Sequence, residues 1–314
     1  MKKKLVAGAV TLLSVLTLAA CTNGTNKDVV TMKGDTITVS DFYDEIKTNQ
    51  GAQQVLFQMT INKVFEKEYG SKVSDKEVDK ELAKQKKQLG KQFDAYLAQQ
   101  GLTEETAKKQ IRSNMLLEYA VNQAAKKDIK ESDYKAAFES YTPEVTAQII
   151  KLDSEDKAKE VLEAAKAEGA DFAQIAKDNS TDTATKDKGG EVKFDSGTAG
   201  IPSQVKEAAF KLDENGISDV ITVSAGQNYS ASYYIVKLNK KTEKGSDWKK
   251  YEKRLKEIIV DGRKQDTNYI RSIIAKAMTN ANIKVKDDAF KSTFNQYLQN
   301  IGVQTSDSSS SSKK

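Results

Sequence analysis

The sequence predicts an α+β fold in which helix-rich segments flank an inserted region of strands and helices. The 314-residue chain has 30% charged residues and only two prolines, a composition that favours a helix-rich, water-exposed body. Apolar residues recur every three or four positions along both flanks, which is the period of an amphipathic helix. The central part instead opens and closes on β-branched and aromatic runs that are typical of strands.

Residues 1–20 are predicted to be a targeting segment rather than part of the fold. Residues 2–4 are all lysine, account for three of the five net positive charges, and precede an apolar run too short for an ordinary spanning helix. The segment ends in Leu-Ala-Ala before Cys21, which resembles the lipobox of bacterial lipoproteins. That resemblance implies cleavage before Cys21 and its lipidation. The alternative is an ordinary secretory signal followed by an incidental thiol, and no internal disulfide is possible with one cysteine.

Between this leader and the central region, the sequence predicts a strand pair followed by helices. The strand pair spans residues 29–39 around a Lys-Gly-Asp turn, and Ser40 is predicted to cap the first helix. Ser74, Thr103 and Ser132 stand where further N-caps belong, before acidic residues that suit a helix start. The predicted helices cover residues 41–48, 52–69, 75–89, 92–100, 104–125 and 128–141.

The central region contains seven predicted elements or turns in a fixed order. These are a strand at 145–152, a helix at 158–165, a helix at 171–177, a polar loop at 179–183, a Lys-Gly-Gly turn at 188–190, a helical segment at 207–212 and a strand at 232–238. Linkers are predicted on either side, at residues 141–144 and 242–246. Pro143 biases the residue before it toward an extended conformation, which marks the first boundary.

After the second linker the helical pattern returns. A helix is predicted over residues 248–281, a short strand at 283–285, and further helical turns up to Leu298. The tail at 306–314 has no apolar residue and is predicted to be disordered.

The central motifs resemble the parvulin family of peptidyl-prolyl isomerases. The matching pieces are the D-F-A-x-x-A helix from Asp171, the S-x-D loop from Ser180, the K-G-G turn from Lys188, the E-A-A-F helix from Glu207 and the Y-x-I-V-K-L strand from Tyr233. The resemblance implies a small antiparallel sheet flanked by helices, and an enzyme that catalyses cis–trans isomerisation of X-Pro bonds. The reaction must overcome a barrier of about 20 kcal/mol set by amide resonance.

The resemblance also assigns an apolar slot for the proline ring of the substrate. Its family positions fall on Ile201, Val205 and Phe210 of this sequence. The alternative for Ile201 and Val205 is a pair of core residues at the start of a helix.

The polar side of the family site falls on three further residues. Asp182 stands at the position of the acid, and Gln148 and Tyr234 stand where the family has two histidines. The chain has no histidine, so hydrogen bonds from glutamine and tyrosine would replace imidazole there, without its titration near neutral pH. The alternative for Asp182 is a solvated turn residue.

The lipobox-like segment, the helix-rich flanks and the parvulin-like insert together resemble the PrsA-type foldase lipoproteins of Gram-positive bacteria. This resemblance implies a signal peptide at 1–20, a helical chaperone domain built from residues 21–142 and 242–303, a parvulin-like domain at 143–241 and a tail at 304–314. It also implies a lipid-anchored protein on the extracellular face of the cell membrane, with unfolded or folding secreted proteins as its partners. A homodimer is compatible with the same resemblance.

Several function classes are disfavoured. Basic and acidic residues are interleaved, which predicts no nucleic-acid surface. The sequence has no His/Cys metal spacing, no phosphate-binding G-x-x-x-x-G-K-[ST] loop and no G-x-S-x-G motif, so neither a metal nor another cofactor is expected. Two rival functions stay open: a holding chaperone with a non-catalytic parvulin-like domain, and a solute-binding lipoprotein of an importer with two α/β lobes.

Overall fold

The computed structural model describes residues 27–225 and 230–298. Its elements, in chain order, are β1 (Asp28–Met32), β2 (Asp35–Thr38), α1 (Val39–Ile46), α2 (Gln50–Tyr69), α3 (Asp75–Leu89), α4 (Phe93–Gln99), α5 (Glu104–Lys127), α6 (Glu131–Ser140), β3 (Val145–Leu152), α7 (Glu155–Lys166), α8 (Phe172–Asn179), β4 (Glu191–Phe194), α9 (Ser203–Lys211), β5 (Ile221–Ala225), β6 (Ser230–Lys241), α10 (Glu252–Gln265), α11 (Thr267–Asn280) and α12 (Lys291–Leu298). The predicted leader, Cys21 and the predicted tail lie outside the described residues.

The described chain divides into two compact units. The first contains residues 27–70 and 274–298, and the second contains residues 71–225 and 230–273. In the first unit, helices from the two ends of the described chain pack together. The ring of Phe57 in α2 lies 5.4 Å from that of Phe294 and 4.2 Å from that of Tyr297, both in α12.

In the second unit, α5 packs against α3 and α10, and α10 packs against α6. The buried face of α5 consists of Ala107, Ile111, Leu116, Ala120, Val121 and Ala125, which follow the predicted helical period. Arg263 of α10 donates a 2.9 Å hydrogen bond to the Ala125 carbonyl and a 2.8 Å hydrogen bond to Asp133 of α6. The last turn of α5 is thereby bonded to the helix that packs against it.

The four-stranded sheet of the second unit has the strand order β4-β3-β6-β5, and every neighbouring pair is antiparallel. Both faces are covered. One face forms an apolar cluster with α9 that includes Val145, Ala147, Ile149, Val205, Ala209, Val236 and Leu238. The other forms a cluster with α7 and α8 that includes Ile150, Leu152, Ala158, Val161, Phe172 and Ile235. This burial on both sides explains the apolar runs in β3 and β6.

Some predicted helix starts are correct and others are not. Ser74 and Thr103 cap α3 and α5 as predicted, each accepting a hydrogen bond from a backbone N–H three residues later. The Ser40 prediction is wrong, because Thr38 caps α1 through a reciprocal pair of hydrogen bonds with Asp41. The Ser132 prediction is also wrong, since α6 begins before it at Glu131.

Two predictions for the C-terminal part are wrong as well. The predicted helix at 248–281 is broken at Asp266, whose backbone is extended and whose Oδ1 accepts the N–H of Asn268 to start α11. The predicted strand at 283–285 is not formed. Asn282 has a φ of 51° and the N–H of Ile283 bonds to the carbonyl of Met278, which closes α11 in the manner of a helix C-cap.

Candidate active site

The sheet face covered by α9 holds the predicted apolar slot. Val205 is fully buried between α9 and the sheet, whereas Ile201 and Phe210 pack against the same cluster and stay partly exposed. The Phe210 ring lies 5.7 Å from that of Phe194 in β4. Ile201 and Phe210 are therefore accessible to a ligand, while Val205 occupies the core position that the alternative interpretation describes.

The loop before α9 is held by a lysine. The Nζ of Lys206, in the first turns of α9, donates hydrogen bonds of 2.9 Å to the carbonyls of Ser196 and Thr198. Pro202 stands immediately before α9 with a φ of −55°, a value that suits a helix start. Both features fix the position of Ile201.

Asp182 lies in the loop between α8 and β4, and its carboxylate is engaged within its own turn. Its Oδ1 accepts a 3.0 Å hydrogen bond from the N–H of Ala184, and its Oδ2 accepts a 2.7 Å hydrogen bond from the hydroxyl of Thr185. The buried Ser180 joins this turn to the sheet, because its Oγ accepts the N–H groups of both Asp182 and Lys151. The arrangement is an Asx turn bonded to β3.

Gln148 contacts the other end of the same loop. Its Nε2 donates a 2.9 Å hydrogen bond to the carbonyl of Gly189. The next residue, Gly190, has a φ of 78°, and a Cβ there would lie 2.5 Å from the carbonyl oxygen of Ile149. The Lys-Gly-Gly turn therefore needs its second glycine both for backbone conformation and for close approach to β3.

Tyr234 is placed apart from Gln148. The register pairs Gln148 with Lys237 and Tyr234 with Lys151, and side chains alternate between faces along each strand. Tyr234 packs against the α9 cluster. Gln148 instead shares a face of the sheet with Ile150 and Leu152, which pack on the opposite side, against α7 and α8. The structure thus brings Gln148 and Asp182 to one loop, and it brings Tyr234 to the apolar cluster that Ile201 and Phe210 also contact.

The described residues contain neither a metal-binding cluster nor a membrane-spanning helix. Among residues 27–225 and 230–298, no three or more His, Cys, Asp or Glu side chains are grouped as metal ligands would be. No helix in that part of the chain is both long enough and apolar enough to span a membrane.

Comparison with known proteins identifies the family. Residues 119–240 match the family model described as Rotamase, PPIC-type PPIASE domain. The Foldase protein PrsA of Streptococcus sanguinis is 62% identical over 302 residues, which cover 96% of this chain and 90% of the relative. The chain belongs to the PrsA family of foldase proteins. The Foldase protein PrsA of Streptococcus gordonii is 60% identical over 315 residues, covering all of both chains.

A solved structure supports the same family. The crystal structure of the foldase protein PrsA from Streptococcus pneumoniae is 55% identical, has a TM-score of 0.78, and covers 86% of this chain and 99% of its own. Membership of the PrsA family confirms the predicted fold class, the foldase role and, by family, the peptidyl-prolyl isomerase activity. As a foldase, the protein has folding polypeptides as its substrates. The importer rival is excluded.

Sequence reasoning missed one polar cluster of this PrsA foldase. Asp195, directly after β4, is 6% exposed and accepts hydrogen bonds from three side chains. Arg254 of α10 donates two, at 2.6 and 2.8 Å, Thr198 donates one at 2.8 Å, and the Tyr141 hydroxyl donates one at 3.1 Å. These contacts join the sheet, the linker before it and the helix after it. No local pattern signals them, since Tyr141 and Arg254 lie 54 and 59 positions away.

The electrostatics of this cluster follow from its burial and its bonds. Burial opposes ionisation of Asp195, but the hydrogen bonds from Arg254 and Thr198 outweigh it and hold the pKa of Asp195 below its ordinary value. Burial raises the pKa of the Tyr141 hydroxyl, and the nearby Asp195 charge raises it further. The carboxylate is therefore ionised and the phenol neutral at neutral pH.

Proposed function

We propose that this PrsA foldase isomerises X-Pro bonds of its clients in the slot beside Ile201, Phe210 and Tyr234, without histidine chemistry. The observation that carries the proposal is the position of Tyr234. Its ring packs against the same apolar cluster as Ile201 and Phe210, and no other described residue hydrogen-bonds its hydroxyl. The apolar surfaces would desolvate the proline ring, and the hydroxyl would bond to a carbonyl beside the rotating imide.

Asp182 and Gln148 have a different part in this proposal. Both of the Asp182 carboxylate oxygens accept hydrogen bonds from its own turn, and Gln148 bonds to the carbonyl of Gly189. They act as positioning residues for the loop at 180–190. Such a role needs a hydrogen-bond acceptor at position 182 and no proton transfer, which separates it from general acid–base catalysis.

The experiment uses the soluble protein that lacks residues 1–21 and a short prolyl peptide. We expect concentration-dependent acceleration of isomerisation, and a loss of roughly tenfold in kcat/KM for Asp182→Ala because the turn loses two hydrogen bonds. Asp182→Asn keeps an acceptor and should retain most of the activity. Asp187→Ala, an exposed change in the same loop, is the matched control and should behave as the unchanged protein.

The outcomes separate the candidate functions. Equal losses in Asp182→Ala and Asp182→Asn would favour a catalytic carboxylate over a positioning one. Absence of acceleration by the unchanged protein, together with suppressed aggregation of an unfolded client, would instead establish the holding chaperone.

A groove lies between α5, α10 and the start of α11, and it is the candidate site for client contact outside the slot. It has a volume of about 380 Å³, and its apolar lining includes Leu117, Val121 and Ile270. Glu118 lies at the same groove and no described residue pairs with its carboxylate. We propose that this groove holds apolar side chains of unfolded clients. Leu117→Ser should weaken suppression of client aggregation while leaving the isomerisation of a short prolyl peptide unchanged.

The proposed location is the outer face of the cell membrane, through lipid on Cys21. A second acyl chain would make such an anchor stable, since each buried methylene contributes about 0.8 kcal/mol. Cys21→Ala should therefore move the protein from the membrane fraction to the soluble fraction. An unchanged distribution would contradict the anchor.

We also propose a homodimer formed through the first unit. The supporting observation is a set of exposed apolar side chains on β1, β2, α1 and α2: Val29, Val30, Met32, Ile37, Phe42, Val55 and Met59. Light scattering should give twice the monomer mass for the soluble protein, and the monomer mass for Phe42→Ser. A monomer at all concentrations would contradict this assembly.

A further inference from the structure

The two edges of the four-stranded sheet differ in how they are protected. With the order β4-β3-β6-β5, the edge strands are β4 and β5. The β4 strand carries the exposed charges Glu191 and Lys193, which discourage pairing with another strand. The β5 strand, Ile-Thr-Val-Ser-Ala from Ile221 to Ala225, has neither charge nor proline. Only the β4 edge thus has features that prevent the addition of another strand.

The outer side of the β5 backbone is unpaired among the residues that the structure describes. Within the described residues, the strand that bonds to it is β6 alone, and no loop or side chain hydrogen-bonds to residues 221–225 from the other direction. In an antiparallel pair, every second residue directs its N–H and C=O away from the partner strand. The outer edge of β5 therefore presents donors and acceptors at the spacing of a strand.

This edge is continuous with the proposed slot. Ile221 and Val223 pack against the same apolar cluster as Tyr234, Ile201 and Phe210, while Thr222 and Ser224 are exposed. A strand added to β5 would lie about 4.8 Å beyond it and would direct alternate side chains to the slot face.

We propose that β5 binds clients by strand addition: an extended, uncharged client segment pairs with Ile221–Ala225 and delivers its proline to the slot. The inference deepens the proposed function and rests on it for the destination of the proline. Proline has no N–H to donate, so the paired residues flank it and the ring occupies a position without a ladder bond. β-branched and small polar side chains suit the segment, because β5 offers no charge to a charged partner.

The test uses the soluble protein and two synthetic nonapeptides of Thr and Val around one central Ala-Pro bond. The second peptide is N-methylated at every second flanking residue, which removes the N–H donors that would face β5 but keeps the side chains. We expect the unmethylated peptide to slow hydrogen exchange of the amides at 221–225 and to leave those of β4 at 191–194 unchanged. The N-methylated peptide should bind roughly tenfold more weakly.

A protein variant provides the second arm. Thr222→Lys with Ser224→Lys raises the net charge at exposed positions of β5 by two, and Gln174→Lys with Asp178→Asn raises that of the exposed face of α8 by two as the matched control. We expect the β5 variant to bind the nonapeptide roughly tenfold more weakly and to isomerise a prolyl tetrapeptide, too short to pair along β5, at the unchanged rate. The α8 variant should resemble the unchanged protein in both assays.

Failure of this inference and failure of the proposed function give different results. Equal binding of the two nonapeptides, or protection of amides at β4 rather than β5, overturns strand addition even when tetrapeptide isomerisation is fast. Protection of the β5 amides from hydrogen exchange, without isomerisation of the nonapeptide or the tetrapeptide, supports strand addition and overturns the catalytic slot.

Discussion

Arg254 donates two hydrogen bonds to Asp195, 2.6 Å from its Nε and 2.8 Å from its Nη2, and so joins α10 to the loop that follows β4. The two parallel bonds match the planar guanidinium to the carboxylate. The same loop contains Gly197, where any side chain would overlap Ile258 of α10. The loop then leads to Ile201 and α9, so this contact connects the helices after the sheet to the apolar slot.

We expect Arg254→Ala to lower the free energy of unfolding by about 3 kcal/mol, because it leaves the Asp195 charge buried without its main partner. Trp248, the single tryptophan, stacks on Tyr134 near α10 and reports urea unfolding of this region by fluorescence. Lys253→Ala, an exposed change on the same helix, should stay within about 0.5 kcal/mol of the unchanged protein. Equal effects of both changes would contradict a specific role for the pair.

The same carboxylate predicts how stability depends on pH. The folded-state pKa of Asp195 is below the unfolded value, which is about 3.9. Its contribution is therefore complete above that value and is lost as the pH falls through the folded pKa. We expect the stability difference between the unchanged protein and Asp195→Asn to be largest at pH 6 and to shrink below about pH 4. A difference that is constant from pH 6 to pH 3 would show that the Asp195 charge contributes nothing.

Tyr234 provides a test of the slot that leaves its packing intact. Tyr234→Phe removes only the hydroxyl, so we expect kcat/KM for a prolyl peptide to fall roughly fivefold to tenfold with little change in stability. Tyr233→Phe is the matched control, because Tyr233 packs against the cluster on the other face of the sheet. Isomerisation rates that fall equally in both variants would place the hydroxyl of Tyr234 outside the reaction.

The helices were predictable where the determinants are local. The buried stripe of α5 and the caps at Ser74 and Thr103 depend on residues within one or two turns, and sequence periodicity reports them. The break at Asp266 was missed because apolar residues continue at helical spacing on both sides of it. Only the hydrogen bonds from Asp266 to the start of α11 distinguish two helices from one.

The candidate site was only partly predictable, because strand register is not a local property. The family order named Gln148 and Tyr234 as a pair, but the faces they occupy depend on which residues of β3 and β6 are opposite each other. In the observed register Ile149 lies opposite Val236, which places Tyr234 on the face of the proposed slot and Gln148 on the opposite face of the sheet. The Asp195 cluster depends on contacts from distant segments and has no sequence signature of its own.

Two glycines with the same positive φ allow the Lys-Gly-Gly turn to be tested quantitatively. Gly190 and Gly169 both have a φ of 78°, so replacing either with alanine introduces left-handed strain of about 1 kcal/mol. A Cβ on Gly169 meets nothing within 4 Å, whereas one on Gly190 would lie 2.5 Å from the Ile149 carbonyl oxygen and 3.0 Å from its nitrogen.

Gly190→Ala must therefore separate the turn from β3 and break the 2.9 Å hydrogen bond from the N–H of Ile149 to the Gly190 carbonyl. We expect urea unfolding to give a loss of about 1 kcal/mol for Gly169→Ala and roughly 3 kcal/mol or more for Gly190→Ala. Isomerase activity should fall only in Gly190→Ala, because that turn also holds Gln148 and the Asp182 loop. If the two variants lose the same stability, β3 and the turn are free to separate at little cost, and the loop is not held as the hydrogen bonds indicate.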